Sequence, residues 1–76
     1  MVIQILGTGC PKCHKLADNA AQAARELGLD ATIQKVTSID EIMKFGVLVT
    51  PGLAVDGVVK SAGRVLSAEQ IKLLLK

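Results

Sequence analysis

Residues 7–16 read "GTGCPKCHKL" and hold both cysteines of the 76-residue chain, Cys10 and Cys13. Upstream, "VIQIL" at Val2–Leu6 is a short apolar run with β-branched residues, the pattern of a buried strand. Gly7–Gly9 interrupts it. Downstream, Leu16, Ala17, Ala20, Ala21, Ala24 and Leu27 recur at spacings of three and four, which predicts an amphipathic helix from Pro11 to about Leu27. Gly28 fits the position just past the helix end. The dithiol therefore sits where a strand turns into a helix.

That placement has chemical consequences. With Cys10 at the N-cap, Pro11 falls at N1, where its missing N–H costs nothing and its fixed φ is already helical. Lys12 and Cys13 follow at N2 and N3, whose unpaired N–H groups point back at the N-cap side chain. Negative charge is favoured there, so the Cys10 thiol should ionise more readily than a free one. Cys13, one turn in, should lie deeper with its sulfur within reach of the first. Lys12, His14 and Lys15 crowd the helix start, and the first turn holds no acid. That is the wrong sign for helix stability and the right sign for holding a thiolate. Lys12, between the two cysteines, is the stronger candidate; His14 and Lys15 read more simply as exposed side chains.

The rest of the chain supplies a frame for this junction. Ala31–Val36 reads as a second strand. Ser38 with Glu41 forms a capping-box pattern before a short helix through Ile39, Ile42 and Met43. Leu53–Val55 and Val58–Lys60 flank Asp56-Gly57, a strong hairpin signal. Ser67 with Gln70 repeats the capping-box pattern ahead of Ile71, Leu74 and Leu75. The order is β-α-β-α-β-β-α. A helical crossover makes the first two strands parallel and the hairpin makes the last two antiparallel. The expected architecture is an α/β domain spanning residues 1–76, a four-stranded mixed sheet with helices on both faces. Pro51, in "VTPG" at residues 49–52, stands just before a strand, where proline marks an edge or an irregular start.

Composition narrows the function classes. Half the residues are apolar, so the chain can fold without a staple, and a Cys10–Cys13 disulfide would close too short a loop to restrain the unfolded chain. Phe45 is the only aromatic residue, which argues against nucleic-acid binding by base stacking. The formal net charge of +2 is spread along the chain without a basic run. The run after Met1 is too short for a signal peptide, and nothing reaches membrane-spanning length, so a cytoplasmic location is expected. In that compartment a C-x-x-C pair points to catalysis or metal binding rather than a structural bridge.

The C-P-x-C at the first strand-to-helix junction, the Thr50-Pro51 before the hairpin and Gly63 after it resemble the thioredoxin fold over the whole length. The chain looks most like the small thioredoxins of archaea and bacteria. The resemblance implies a thiol–disulfide oxidoreductase in which Cys10 is the nucleophile and Cys13 resolves the mixed disulfide. Gly9, Pro11 and Lys12 would shape the surroundings of the pair. It implies a cis-proline loop against the dithiol, with Thr50 and Pro51 binding an extended substrate and Gly63 keeping the surface beside them open. Protein disulfides would be the substrates and a thioredoxin-reductase-type protein the electron donor. No cofactor, metal, nucleic acid or membrane would be involved, and the protein would act as a monomer.

The sequence departs from that pattern in places. Gly9 stands where ordinary thioredoxins carry tryptophan, and Gln4 at the position of their buried aspartate, six residues before the nucleophile. The proton acceptor for Cys13 is then left open among water, Lys12 and another group. Glutaredoxin-like, glutathione-coupled exchange is one alternative. Against it, Gly7 lies where glutaredoxins place a cation, Lys12 replaces their motif aromatic, and Arg64 replaces the acid that receives the glutathione amine. A C-x-x-C metal chaperone is the other, although Thr8 lies where such proteins normally carry methionine and the chain should end in a helix rather than a strand. Val47–Val49 and Gly52 could form an apolar platform beside the site; Phe45 and Met43 read as core or rim.

Overall fold

The structure is a computed structural model, and it describes residues 1–75. Its elements follow the expected order: β1 (Val2–Leu6), α1 (Pro11–Glu26), β2 (Thr32–Val36), α2 (Ile39–Lys44), β3 (Gly52–Val55), β4 (Val58–Ala62) and α3 (Ala68–Leu75). The four strands form one sheet in the order β2-β1-β3-β4. β1 runs parallel to β2 and antiparallel to β3, and β3 antiparallel to β4. The mixed sheet with three helices is the thioredoxin-like α/β arrangement.

Strand ends differ slightly from the sequence pattern. β2 starts at Thr32 rather than Ala31, and β3 takes in Gly52 because Gly52 pairs with Leu6. β4 runs on to Ala62, past the Lys60 end that apolar patterning suggested. An irregularity between Leu53 and Ala54 shifts the register, so that Ala54 faces Val59 and Leu53 faces Ser61. A bulge of this kind breaks the alternation from which the strand end was read. The hairpin itself forms as predicted. Asp56 and Gly57 both have positive φ, 51° and 86°, as a two-residue turn matched to the strand twist requires.

Side-chain alternation along β1 divides the core in two. Ile3 and Ile5 face α1 and α3 together with Leu16, Leu53, Leu66, Ile71 and the alanines of α1. Leu6 points to the opposite face, where Ile42 of α2 and Val47 cover it. Helices thus lie on both faces, as expected. The small residues Ala17, Ala20, Ala23 and Ala24 let α1 approach its neighbours closely. α1 ends in a Schellman motif: Leu29 N–H donates to the Ala24 carbonyl and Gly28 N–H to that of Arg25, with Gly28 at φ +67°.

The two capping-box patterns part company. At α3 the box closes: Ser67 Oγ accepts from Gln70 N–H at 3.2 Å while Gln70 Oε1 accepts from Ser67 N–H at 3.0 Å. At α2 Ser38 occupies the N-cap but its side chain makes no cap hydrogen bond, so that helix relies on Ile42 burial and its charge pattern. Asp40 and Glu41 lie in its first turn and Lys44 in its last, the signs the helix dipole favours.

Candidate functional site

Cys10 is the N-cap of α1, with extended backbone (φ −70°, ψ 164°), and Pro11 takes the first helical position. The Cys10 carbonyl accepts from Cys13 N–H at 2.9 Å and from His14 N–H at 3.1 Å, so the first turn is closed on the N-cap residue. The two sulfurs lie 2.8 Å apart and share a hydrogen bond. Cys10 is half-buried; Cys13 is only 5% exposed.

The two thiols are driven in opposite directions. The Cys13 thiol beside it lowers the Cys10 pKa, with help from the backbone N–H groups of Cys13 and Lys12. Burial raises the Cys13 pKa, and the hydrogen bond it gives to Cys10 adds to that. Lys12 thus reaches Cys10 through its amide, while the ammonium groups of Lys12 and Lys15 stand exposed at the surface. The arrangement is one reactive sulfur at the surface and one protonated sulfur beneath it.

Strand register assembles the rest. Leu6 pairs with Gly52, and Gly52 with Ala62, so one step further Gly7, Pro51 and Gly63 fall side by side at the same end of the sheet. The Thr50–Pro51 bond is cis. Pro51 is fully buried and its carbonyl accepts from Gly63 N–H at 2.8 Å. A side chain at Gly63 would come within 2.8 Å of Val49 Cγ1, and the residue has φ +76°, so glycine keeps this face flat against the proline loop. Thr50 is exposed and, with Thr8 from the dithiol loop, lines an open cleft of about 290 Å³ whose other wall is Ile39, Met43 and Leu48. Val47 is buried beneath it rather than at the surface, and Gly52 is buried in the sheet, so the apolar platform is made by Leu48, Val49 and α2.

Sequence reasoning passed over two features of the site. Gly7 reads in sequence as a strand break and as a missing glutaredoxin cation, yet a Cβ there would collide with Cys13 Sγ; the missing side chain is the space the inner sulfur occupies. The signal available was a glycine at the strand end, three residues before Cys10. The other feature is Lys35, paired with Ile5 in the parallel register and lining a small cavity with Cys13 and His14. Its signal was parity: it shares a strand face with the core residue Ile33.

Gln4 needs a correction. Alternation turns it away from α1, and its Oε1 accepts from Gly57 N–H at 3.0 Å at the hairpin. It ties β1 to the turn, and the residue of β1 that shares a cavity with Cys13 is Ile5.

Comparison with known proteins agrees with this geometry. A family model described as a thioredoxin domain matches residues 1–76. A curated thioredoxin of Methanothermobacter thermautotrophicus is 51% identical over 75 residues, covering 99% of this chain and 97% of its own. A thioredoxin of Methanocaldococcus jannaschii is 50% identical over 76 residues, covering 100% of this chain and 87% of its own.

Proposed function

The chain belongs to the thioredoxin family and is a dithiol–disulfide oxidoreductase, and on that footing we propose that it reduces disulfides of other proteins through Cys10-Pro11-Lys12-Cys13. The observation that carries this reading is the sulfur pair at 2.8 Å with unequal burial and opposed pKa shifts. The Cys10 thiolate attacks one sulfur of the target disulfide; the other target sulfur leaves as a thiolate and takes a proton. Cys13 then gives up its proton and attacks Cys10 Sγ. The Cys10–Cys13 bond forms, the second target sulfur is released, and two electrons have passed from the dithiol to the target.

Thr50 and Pro51 would receive the extended target segment, with Gly63 leaving room for its backbone. Gly9, at φ +90° with open space around the missing side chain, would let the segment reach Cys10. No helix among the described residues is long and apolar enough to cross a membrane. The protein is proposed to act in the cytoplasm as a monomeric domain of residues 1–76, recharged by a thioredoxin-reductase-type donor.

Two experiments test this. Cys13→Ser should accumulate a mixed disulfide with a protein target, while Cys10→Ser should accumulate none; equal trapping by both variants would sink the assigned roles. Titration against thiol buffers with alkylation and mass readout measures the equilibrium potential. A value near the roughly −270 mV of thioredoxins supports a protein reductase, and one near the roughly −200 mV of glutaredoxins points to glutathione instead.

A further inference from the structure

Resolution requires a buried, protonated Cys13 to lose its proton, and Gln4 lies on the wrong face of the sheet to take it. A cavity of about 20 Å³ opens onto the inner side of the pair, lined by Ile5, Gly7, Cys13, His14, Lys35 and Thr37 among others, enough space for one water molecule. No carboxylate lines it. We propose that His14 is the proton acceptor for Cys13, reached through a water in this cavity. The inference rests on the dithiol mechanism above.

Elimination among the lining groups supports the choice. A lysine ammonium has no lone pair, so Lys35 cannot accept a proton; facing the cavity from β2, its positive charge favours the thiolate being formed. The Thr37 hydroxyl is a relay at most. Imidazole is the side chain that exchanges protons near neutral pH. His14 N–H is bonded to the Cys10 carbonyl, which fixes the start of its side chain beside Cys13, and the ring is otherwise exposed and can pass the proton on to solvent. The charged and titratable groups around it are Cys10 and Cys13, Lys15 next along α1, Asp18 one turn on at i+4, and Lys35 across the cavity. In the step itself, the Cys13 S–H proton passes by way of water to the imidazole. The thiolate then forms the Cys10–Cys13 bond as the bond from Cys10 to the target sulfur breaks. The departing target thiolate is protonated by solvent or by the imidazolium.

Stopped-flow reaction of the reduced protein with a symmetrical chromophoric aromatic disulfide separates the steps. The first equivalent of coloured thiolate reports attack by Cys10 and depends on concentration; the second reports resolution by Cys13 and does not. His14→Gln should slow the second phase at neutral pH by at least about tenfold, less than the usual roughly hundredfold or more of general-base catalysis because water remains available. It should leave the first phase within about twofold and remove the pH inflection expected of the wild-type second phase, and added imidazole should restore the rate. An unchanged second phase with an unchanged pH profile would overturn the proposal, as would a slowed one that imidazole does not rescue and whose inflection persists. A first phase that survives Cys10→Ser would instead refute the dithiol mechanism.

Discussion

The two faces of the sheet are built to different standards. Against α1 and α3, eleven buried residues of the described chain form one continuous cluster; against α2 the cluster has three, Leu6, Ile42 and Val47. Polar detail follows the same division. α3 has a closed capping box, Asn19 Nδ2 donates to the Leu66 carbonyl at 2.8 Å, and Lys72 Nζ bridges Glu26 of α1 at 2.8 Å and Glu69 at 2.9 Å. α2 has an unused N-cap side chain and one exposed Lys44–Glu41 pair at 3.8 Å. Next to it, Ile39, Met43, Leu48 and Val49 are 58–86% exposed. The larger core lies on the α1 and α3 face, and the other face keeps apolar side chains in solvent beside the dithiol.

The largest expected consequence is in core truncations. Ile71→Ala on the α3 side should fall toward the upper end of the roughly 2–5 kcal/mol typical of such changes, and Ile42→Ala toward the lower end. Exposed side chains on the α2 side can collapse into the space, whereas Ile71 is wholly enclosed. Equal losses in urea unfolding would mean that the faces are packed alike.

Gly7→Ala comes next. Its Cβ would push Cys13 Sγ aside, so resolution of the mixed disulfide should slow about tenfold or more while attack by Cys10 persists, a misplacement effect on an intramolecular step. Single-turnover kinetics reads both steps; equal slowing of the two would contradict it.

Helix caps give a smaller contrast. Ser67→Ala should cost about 1 kcal/mol, the usual value of an N-cap hydrogen bond, and Ser38→Ala far less, because the bond to be lost exists only at Ser67. A comparable loss at both sites would show that α2 is capped in solution.

Within the dithiol, the pH dependence of alkylation should separate the sulfurs. Cys10 should react from below the ordinary thiol range and Cys13 only from above it. Cys13→Ser weakens the largest influence on Cys10, since a hydroxyl replaces the neighbouring thiol, so the Cys10 curve should move to higher pH; an unmoved curve would assign the effect to the backbone amides alone.

The smallest effect belongs to Lys72→Met. Glu26 is lowered chiefly by its hydrogen bond from Lys72, so that contribution is present above the unfolded carboxyl range, about pH 4.3, and disappears as pH falls through the depressed folded value. Lys72 is raised chiefly by Glu26, so its contribution is complete below the unfolded lysine range, about pH 10.4, and disappears as pH rises through the raised folded value. The melting difference between variant and wild type should therefore be greatest at intermediate pH and shrink toward acid. A difference independent of pH would assign the effect to packing of the lysine stem.

Much of this molecule was legible as sequence because the deciding signals are local. A short apolar run with β-branched residues gave β1, periodicity of three to four gave α1, and Asp56-Gly57 gave a turn that needs two positive φ angles. Cys10 and Cys13 lie within one helical turn, so their spacing alone brings the sulfurs together. What sequence could not decide depends on partners distant along the chain. Whether a capping box closes depends on how the preceding segment enters the helix, and the similar patterns Ser38–Glu41 and Ser67–Gln70 resolve differently. Gln4 matches in sequence the position of the buried aspartate of ordinary thioredoxins, but strand parity turns its side chain to the hairpin. Gly7, Pro51 and Gly63 meet only through register across three strands, and His14 and Lys35 meet over Cys13 only because β1 and β2 pair in parallel. The sequence by itself determined the thiol pair and its position at a helix start, since both follow from backbone geometry within a few residues. Only the tertiary structure decided what surrounds the buried sulfur, because its neighbours Gly7, Ile5 and Lys35 come from the packed sheet and not from the spacing.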